Sequence, residues 1–142
     1  MKKICDHFFG ILKYDSISQF WCCKKKLSSG RFITVYLNTG FVPTVKLINS
    51  FISSFKIVRK NEKRLKTIAV KRLRNIYHNY GWSNGKTISE VIFMKRMKPE
   101  SIILHIDGSA DITYDDGGLF QGHTIYIGVK KNGKFKDTCF QG

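Results

Sequence analysis

Residues 43–81 decide the fold, and they read PTVKLINSFISSFKIVRKNEKRLKTIAVKRLRNIYHNYG. Thr44 is the predicted N-cap of a helix, and Gly81 is the predicted residue after its C-cap. Because an uninterrupted helix of more than about 30 residues is unusual in a globular domain and the apolar pattern weakens near Asn61, we predict two helices or one helix kinked around residues 57–62. The apolar residues at helical spacing are Leu47, Ile48, Phe51, Ile52 and Phe55, then Leu65, Ile68, Ala69, Leu73, Ile76, Tyr77 and Tyr80.

The segments on either side of this helical region have the composition of short β-strands. The strands predicted before it form an antiparallel three-stranded meander and are 8–14, 20–27 and 31–37. A capping box at Thr87–Glu90 predicts a short helix that Pro99 terminates. A four-stranded antiparallel meander follows, with turns at Asp107-Gly108 and Asn132-Gly133, and its predicted strands are 101–106, 110–115, 123–130 and 134–140. The fold class is α+β, and whether the two meanders share one sheet stays open.

Length and composition predict a single domain over residues 1–142, long enough to bury a substantial core. No apolar run reaches the roughly 20 residues that a bilayer span requires, and the N-terminal segment lacks a signal-peptide cleavage site. The four cysteines lack the paired spacing of a zinc site. We therefore expect a cytoplasmic protein with reduced thiols, without a cofactor and without a membrane partner.

The positive charge of the chain is concentrated in its first two-thirds. Of a total net charge of +15, residues 1–98 carry +17 and residues 99–142 carry −2. Between Lys56 and Arg74 nine basic side chains accompany the single acid Glu62. Such a stripe fits a polyanion, either nucleic acid or an acidic protein, although many basic helix faces are simply solvated. The residues predicted to share one side of the helix are Lys60, Lys63, Arg64, Lys71 and Arg74.

The segment DDGGLFQGH, residues 115–123, has two interpretations. As a turn, its glycines supply positive φ angles and its aspartates accept hydrogen bonds from loop amides. As a chemical site, Asp115, Asp116 and His123 could hold a divalent cation or act as acid and base, with His105 and Asp107 as the only further ligands nearby. We favour the turn, because no nucleophile lies beside a base at a recognisable spacing. Its structural residues are Gly117, Gly118, Leu119, Phe120, Gly122 and His123.

The whole chain resembles an uncharacterised bacterial family of small cytoplasmic proteins, a domain of unknown function. The family's most specific signature is Asp-Asp-Gly, an acidic residue, Leu-Phe, an aromatic residue and Gly-His, which residues 115–123 resemble. Gly118 stands where an acidic residue is common, and Gln121 stands where an aromatic is common. The first departure removes one candidate ligand from any metal site in this loop. The other motifs that carry the resemblance are Phe9–Asp15, Phe20-Trp21, Trp82, Ile102–Leu104 and Gly142.

The resemblance implies a fold but no assigned activity. Some members of the family are similar to proteins encoded near bacterial toxin systems, where small α+β proteins act as immunity factors. We therefore expect a non-enzymatic protein-interaction module, of the immunity type, that meets an acidic protein partner through its basic face. One alternative is a nucleic-acid-binding module that uses the basic helix 56–74. The other is a metal-binding or hydrolytic site at residues 115–123.

Overall fold

A computed structural model describes residues 2–142 and contains two helices and eight strands. The helices are α1 (Val45–Asn79) and α2 (Glu90–Arg96). The strands are β1 (Lys3–Asp6), β2 (Gly10–Asp15), β3 (Phe20–Lys26), β4 (Phe32–Leu37), β5 (Lys98–Leu104), β6 (Ala110–Asp115), β7 (Thr124–Val129) and β8 (Phe135–Gln141). The fold is therefore α+β, as the sequence predicts. Neither described helix is long and apolar enough to cross a bilayer.

All eight strands form one sheet, in the order β1 to β8. Neighbouring strands are antiparallel except β4 and β5, which pair in parallel from Thr34↔Ser101 to Leu37↔Leu104. A parallel pair needs a long crossover connection, and α1 with α2 supplies it. The question of one sheet or two is thereby answered, because the crossover returns the chain beside β4.

The N-terminal meander has four strands rather than the predicted three. Strand β1 pairs with β2, from Lys3↔Lys13 to Asp6↔Gly10. The hairpin depends on Asp6, whose Oδ2 accepts hydrogen bonds from the backbone N–H groups of Phe8 and Phe9 at 2.9 and 2.8 Å. Because β1 is a short edge strand and Phe9 belongs to the turn, the sequence offers little apolar alternation from which to predict it.

Helix α1 runs through residues 57–62 as one 35-residue helix, so of the two predicted alternatives the division into two helices is wrong and the single long helix is confirmed. The apolar pattern weakens there because two positions meet polar partners. Asn61 Nδ2 donates to the Ile57 carbonyl at 2.8 Å within the helix. Glu62 Oε1 accepts a 2.9 Å hydrogen bond from the hydroxyl of Tyr114 on β6. The interruption in the pattern therefore marks two polar side chains, one bonded within the helix and one bonded to the sheet, and not a break in the helix.

The capping residues of α1 are those that the sequence predicts, whereas the N-cap of α2 is not. Thr44 caps α1, with its hydroxyl accepting from the Leu47 N–H at 3.2 Å, and Gly81 follows the C-cap with φ of 83°. The N-cap of α2 lies two residues after Thr87, the first residue of the predicted capping box. Ser89, not Thr87, is its N-cap and accepts from the Ile92 N–H at 3.2 Å.

The core lies between one face of the sheet and the inner side of α1. Strand β4 shows the alternation clearly: Ile33, Val35 and Leu37 are buried, whereas Phe32 is exposed. The buried residues of α1 that meet this face include Phe51, Phe55, Leu65, Ala69 and Leu73. The opposite side of α1 is left to solvent, and that side carries most of the basic side chains of the helix.

Candidate functional site

The loop between β6 and β7 is organised around the carboxylate of Asp116, which is only 1% exposed. Its Oδ1 accepts from the Gly118 N–H at 2.9 Å. Its Oδ2 accepts from the N–H groups of Phe120, Gly122 and His123 at 2.8, 3.0 and 3.1 Å. Both oxygens are thus occupied by four backbone donors, which is the arrangement of a turn rather than of a metal ligand.

The apolar residues of the loop are part of the core. Phe120 is fully buried and stacks on Phe140 with ring centroids 4.1 Å apart. Trp82 and Phe93 contact the same ring edge-on, at 5.4 and 6.2 Å. The loop therefore anchors β7 and β8 to the end of α1 and to α2.

The glycines of the loop allow close approach of the backbone. Gly117, Gly118 and Gly122 have φ of 58, 83 and 86°. A Cβ atom on Gly117 would overlap the Arg96 carbonyl oxygen at the end of α2. The Arg96 guanidinium also donates to the Gly117 carbonyl, from Nε at 3.1 Å and Nη2 at 2.8 Å.

The other two candidate ligands of the loop, Asp115 and His123, have separate partners. Asp115 is exposed, and its Oδ1 accepts from the Gly117 N–H at 2.9 Å. His123 places its ring against Trp82 and Phe140, each 5.6 Å away, and its Nδ1 is hydrogen-bonded to the Phe120 carbonyl. Within residues 2–142 no three His, Cys, Asp or Glu side chains converge in a way that could hold a metal ion.

His105 and Asp107 lie at the opposite end of β6 from this loop, so they are not additional ligands for it. His105 instead joins two neighbours: its Nε2 is 2.7 Å from Asp111 Oδ2 and its Nδ1 is 2.9 Å from Asn38 Nδ2. The hydrogen bond with Asp111 raises the pKa of His105. Asp107 accepts from the Ser109 hydroxyl at 2.6 Å, and this bond lowers the pKa of the Asp107 carboxyl.

Three of the four thiols are shifted away from the form that a nucleophile needs. Burial raises the pKa of Cys23 to about 12, and it also raises the pKa values of Cys22 and Cys139. A nucleophilic cysteine needs the opposite shift, because the thiolate is the reactive form. All four cysteines are free.

The basic residues of α1 divide into those that support the fold and those that face solvent. Arg64 Nη2 donates to the Gly133 carbonyl in the β7–β8 turn at 2.9 Å, and Arg74 Nε donates to the Ile88 carbonyl at 3.0 Å. Lys60, Lys63 and Lys71 are exposed, and their side chains have no hydrogen-bond partner within residues 2–142. We call Lys60, Lys63 and Lys71 the outer basic face of α1. These three lysines lie on one side of the helix, as helical spacing predicts. The other two predicted members, Arg64 and Arg74, are hydrogen-bonded to carbonyls of other segments.

No Lys or Arg side chain in residues 2–142 forms a salt bridge with a carboxylate. The ion pairs in this part of the chain are both between histidine and aspartate, His7 with Asp6 and His105 with Asp111. The only acid of α1, Glu62, points to the sheet and to Tyr114. The outer basic face therefore presents positive charge that no acidic side chain on the same helix neutralises.

Three further basic residues lie near Lys63 that the sequence analysis did not predict as site residues. They are Arg31 before β4, and Arg59 and Lys66 on α1, and with Lys60 and Lys63 they line one cleft. Arg59 and Lys66 are within the basic stretch, but helical spacing places them well around the helix from Lys60. Arg31 reaches the cleft from a distant segment, for which the sequence contains no signal.

Comparison with known proteins identifies the family of this chain. Residues 6–139 match the model of a family described as "Uncharacterized protein conserved in bacteria (DUF2262)". The match spans nearly the full length, so the chain belongs to this family, and the resemblance seen in the sequence is confirmed. No curated protein and no solved structure shows significant similarity to it.

Proposed function

We propose that this protein is a non-enzymatic interaction module that binds an acidic partner protein through the outer basic face of α1. The observation that carries the proposal is the set of exposed lysines on one helix face, none of which is neutralised by an acid within residues 2–142. Complementary charge of this kind accelerates association and selects against basic partners. For a protein of the immunity type, the acidic partner would be a toxin.

Exposed apolar residues at the start of α1 support a protein partner over a nucleic acid. Phe41, Val42 and Val45 are 57%, 60% and 76% exposed, and they directly precede or begin the helix. Protein interfaces combine apolar anchors with a charged rim, whereas a nucleic-acid surface needs mainly phosphate contacts and stacking rings. Exposed apolar residues at the start of the helix that carries the basic face therefore fit a protein surface better than a nucleic-acid surface.

The absence of a poised reaction centre among the candidate residues supports a non-enzymatic role. The carboxylate of Asp116 is fully engaged by backbone donors, and the His123 Nδ1 is hydrogen-bonded to a carbonyl. A general base needs a lone pair directed at a substrate. Asp116 offers none, and the lone pair left on His123, at Nε2, lies against Gly142, where an added Cβ atom would be 2.5 Å from Nε2.

The test is capture of partners from bacterial host lysate by the tagged protein, with and without nuclease. Lys60→Glu/Lys71→Glu reverses charge on the outer basic face, and Lys130→Glu/Lys134→Glu is the control with the same change in net charge at the β7–β8 turn. We expect an acidic protein that survives nuclease, is lost with the first variant and is retained with the second. Material that disappears on nuclease treatment would instead favour the nucleic-acid alternative. Equal capture by both variants would contradict a role for α1.

A further inference from the structure

A second feature of the positive surface is a cleft of about 680 Å³ between α1, the turn after β3 and the start of β5. This volume is in the range of small-molecule sites and is far larger than a bound ion needs. The cleft adjoins the outer basic face at Lys60 and Lys63, and it is bounded by three parts of the fold that meet around the middle of α1. Its charged lining consists of Arg31, Arg59, Lys60, Lys63, Lys66 and Glu62.

Five cations in one concave site repel one another, and none has a carboxylate close enough to form a salt bridge within residues 2–142. A cleft lined by charges of one sign concentrates the electric field and attracts ions of the opposite sign. The single acid, Glu62, offsets only one of the five charges. An anion that carries several charges would relieve this repulsion more than a single carboxylate would.

Lys66 is held in place inside the cleft rather than extended into solvent. Its Nζ donates to the Met97 carbonyl at 2.7 Å and lies 5.5 Å from the centre of the Tyr114 ring. Desolvation lowers the pKa of this lysine, and the charge of Arg31 acts in the same direction. A bound anion beside Lys66 would compensate for the water that its ammonium group has lost.

The remaining groups of the cleft suit an organic ligand rather than a bare ion. Glu62 Oε1 is bonded to Tyr114, whereas Oε2 has no partner within residues 2–142 and can accept from a hydroxyl or amino group. Ser28 and Ser29 provide hydroxyl groups at one wall. Met94 and Pro99 provide apolar surface at another.

We propose that this cleft binds a small phosphorylated organic ligand of the nucleoside phosphate class. Arg59, Lys63 and Lys66 hold the phosphates, with Arg59 offering the planar fork that pairs well with phosphate oxygens. Glu62 accepts a hydrogen bond from a hydroxyl or amino group of the organic part. This site shares Lys60 and Lys63 with the outer basic face, but Arg31, Arg59 and Lys66 belong to the cleft and not to that face.

The test is the melting temperature of the intact protein with ATP, with inorganic pyrophosphate, and with sodium sulfate at matched ionic strength. A probe at about ten times its Kd should raise the Tm by about 5 °C, because only the folded protein binds it. A rise in Tm with pyrophosphate measures binding at the phosphate subsite. A larger rise with ATP shows that the organic part of the ligand also contributes to binding. Sulfate should have a smaller effect than either.

Two variants and one control determine whether any such shift comes from the cleft. Arg59→Ala removes an exposed side chain, so folding should be retained. Lys66→Met removes the ammonium group and keeps the length of the side chain. Each should weaken the Kd for ATP at least about tenfold, the expected loss for one charge-assisted contact. Lys71→Ala, on the outer basic face, should leave the Kd unchanged.

The proposal is overturned if neither ATP nor pyrophosphate raises the Tm more than sulfate does. It is also overturned if the shift persists in both cleft variants or is lost equally in Lys71→Ala. Partner capture is a separate readout: Arg59→Ala should still capture the acidic protein, and Lys60→Glu/Lys71→Glu should not. A failure of either proposal can therefore be recognised without reference to the other.

Discussion

At the scale of single residues, the adjacent pair Asp115 and Asp116 shows how much one position differs from the next. Asp116 is buried and accepts four backbone hydrogen bonds, whereas Asp115 is exposed and accepts one from the Gly117 N–H. The two side chains are chemically identical, but one is the buried centre of the loop and the other lies at the surface. Asp115 is the last residue of β6 and Asp116 is the first residue of the loop, and this difference in position decides which carboxylate is buried.

We predict that Asp116→Ala destabilises the protein by about 3–5 kcal/mol, because four buried amides lose their acceptor. Asp115→Ala should cost less than about 1 kcal/mol, since solvent replaces its one exposed hydrogen bond. Urea denaturation of both variants measures the difference. Similar losses for the two would contradict the assignment of Asp116 as the centre of the loop.

A second residue-scale prediction concerns His105, whose pKa is raised above 6.5 by its hydrogen bond to Asp111. A group whose pKa is higher in the folded state stabilises the fold below its unfolded pKa, and that stabilisation is lost as the pH rises through the folded pKa. The Tm should therefore fall over the interval from pH 6.5 upward to the folded pKa. The other charged groups near this ring are Asp107, which also raises its pKa, and Lys136, which opposes it.

His105→Gln should flatten this part of the pH profile, because glutamine does not titrate. The Tm of both proteins, followed across the interval together with an NMR titration of the imidazole, gives the measurement. A profile that is unchanged in His105→Gln would assign the pH dependence to other groups.

At the scale of elements, α1 is held against the sheet by its contact with the β7–β8 turn. Gly133 in that turn has φ of 84°, and a Cβ atom there would lie 2.8 Å from both Asn61 Nδ2 and Ile57 Cγ2. This approach coincides with the middle of the helix, where the apolar pattern weakens. Packing of this turn against Ile57 and Asn61 thus holds the part of α1 in which apolar residues are few.

We predict that Gly133→Ala destabilises the protein by about 2–4 kcal/mol, from backbone strain and from displacement of α1. Gly85→Ala is the matched control, since Gly85 has φ of 76° but no heavy atom within 4 Å of an added Cβ. It should cost only the strain, about 1–2 kcal/mol. Chemical denaturation of both gives the contribution of the helix–turn contact, and equal values would show that the contact contributes nothing.

At the scale of the whole molecule, the net charge is +15, and no Lys or Arg in residues 2–142 forms a salt bridge. Repulsion between the basic side chains therefore destabilises the folded state. Exposed charges are screened over about 10 Å at 0.1 M salt. We predict that the Tm rises as sodium chloride is increased from low to physiological concentration. Lys60→Glu/Lys71→Glu should reduce this rise, because it introduces opposite charges into the stripe. A Tm that falls with salt would show that attraction outweighs repulsion.

Much of the fold follows from local patterns. The period-two alternation of Ile33, Val35 and Leu37 predicts β4, and the Asn132-Gly133 turn predicts the β7–β8 hairpin, because both signals act over a few residues. The capping of α2 is misassigned because Thr87 and Ser89 have nearly the same chemistry. Strand β1 is missed because its pairing with β2 depends on a turn that Asp6 stabilises rather than on apolar alternation.

The candidate sites are less predictable, since each depends on residues that are far apart in the chain. The polarity of DDGGLFQGH fits either a turn or a metal site, and the difference lies in which amides reach Asp116. The basic stretch predicts an outer face on α1. It does not predict that Arg64 and Arg74 are held by carbonyls of other segments, or that Arg31 completes a cleft.

By itself the sequence determined the α+β class, the single-signed charge of α1 and most of the hairpins, because helix period, strand alternation and turn chemistry are local properties. Only the tertiary structure decided that the two meanders form one sheet, that α1 is unbroken and that five cations line one cleft. Those features come from contacts between distant segments, such as Glu62 with Tyr114. Their free energy depends on the position of every element, which no short window of sequence encodes.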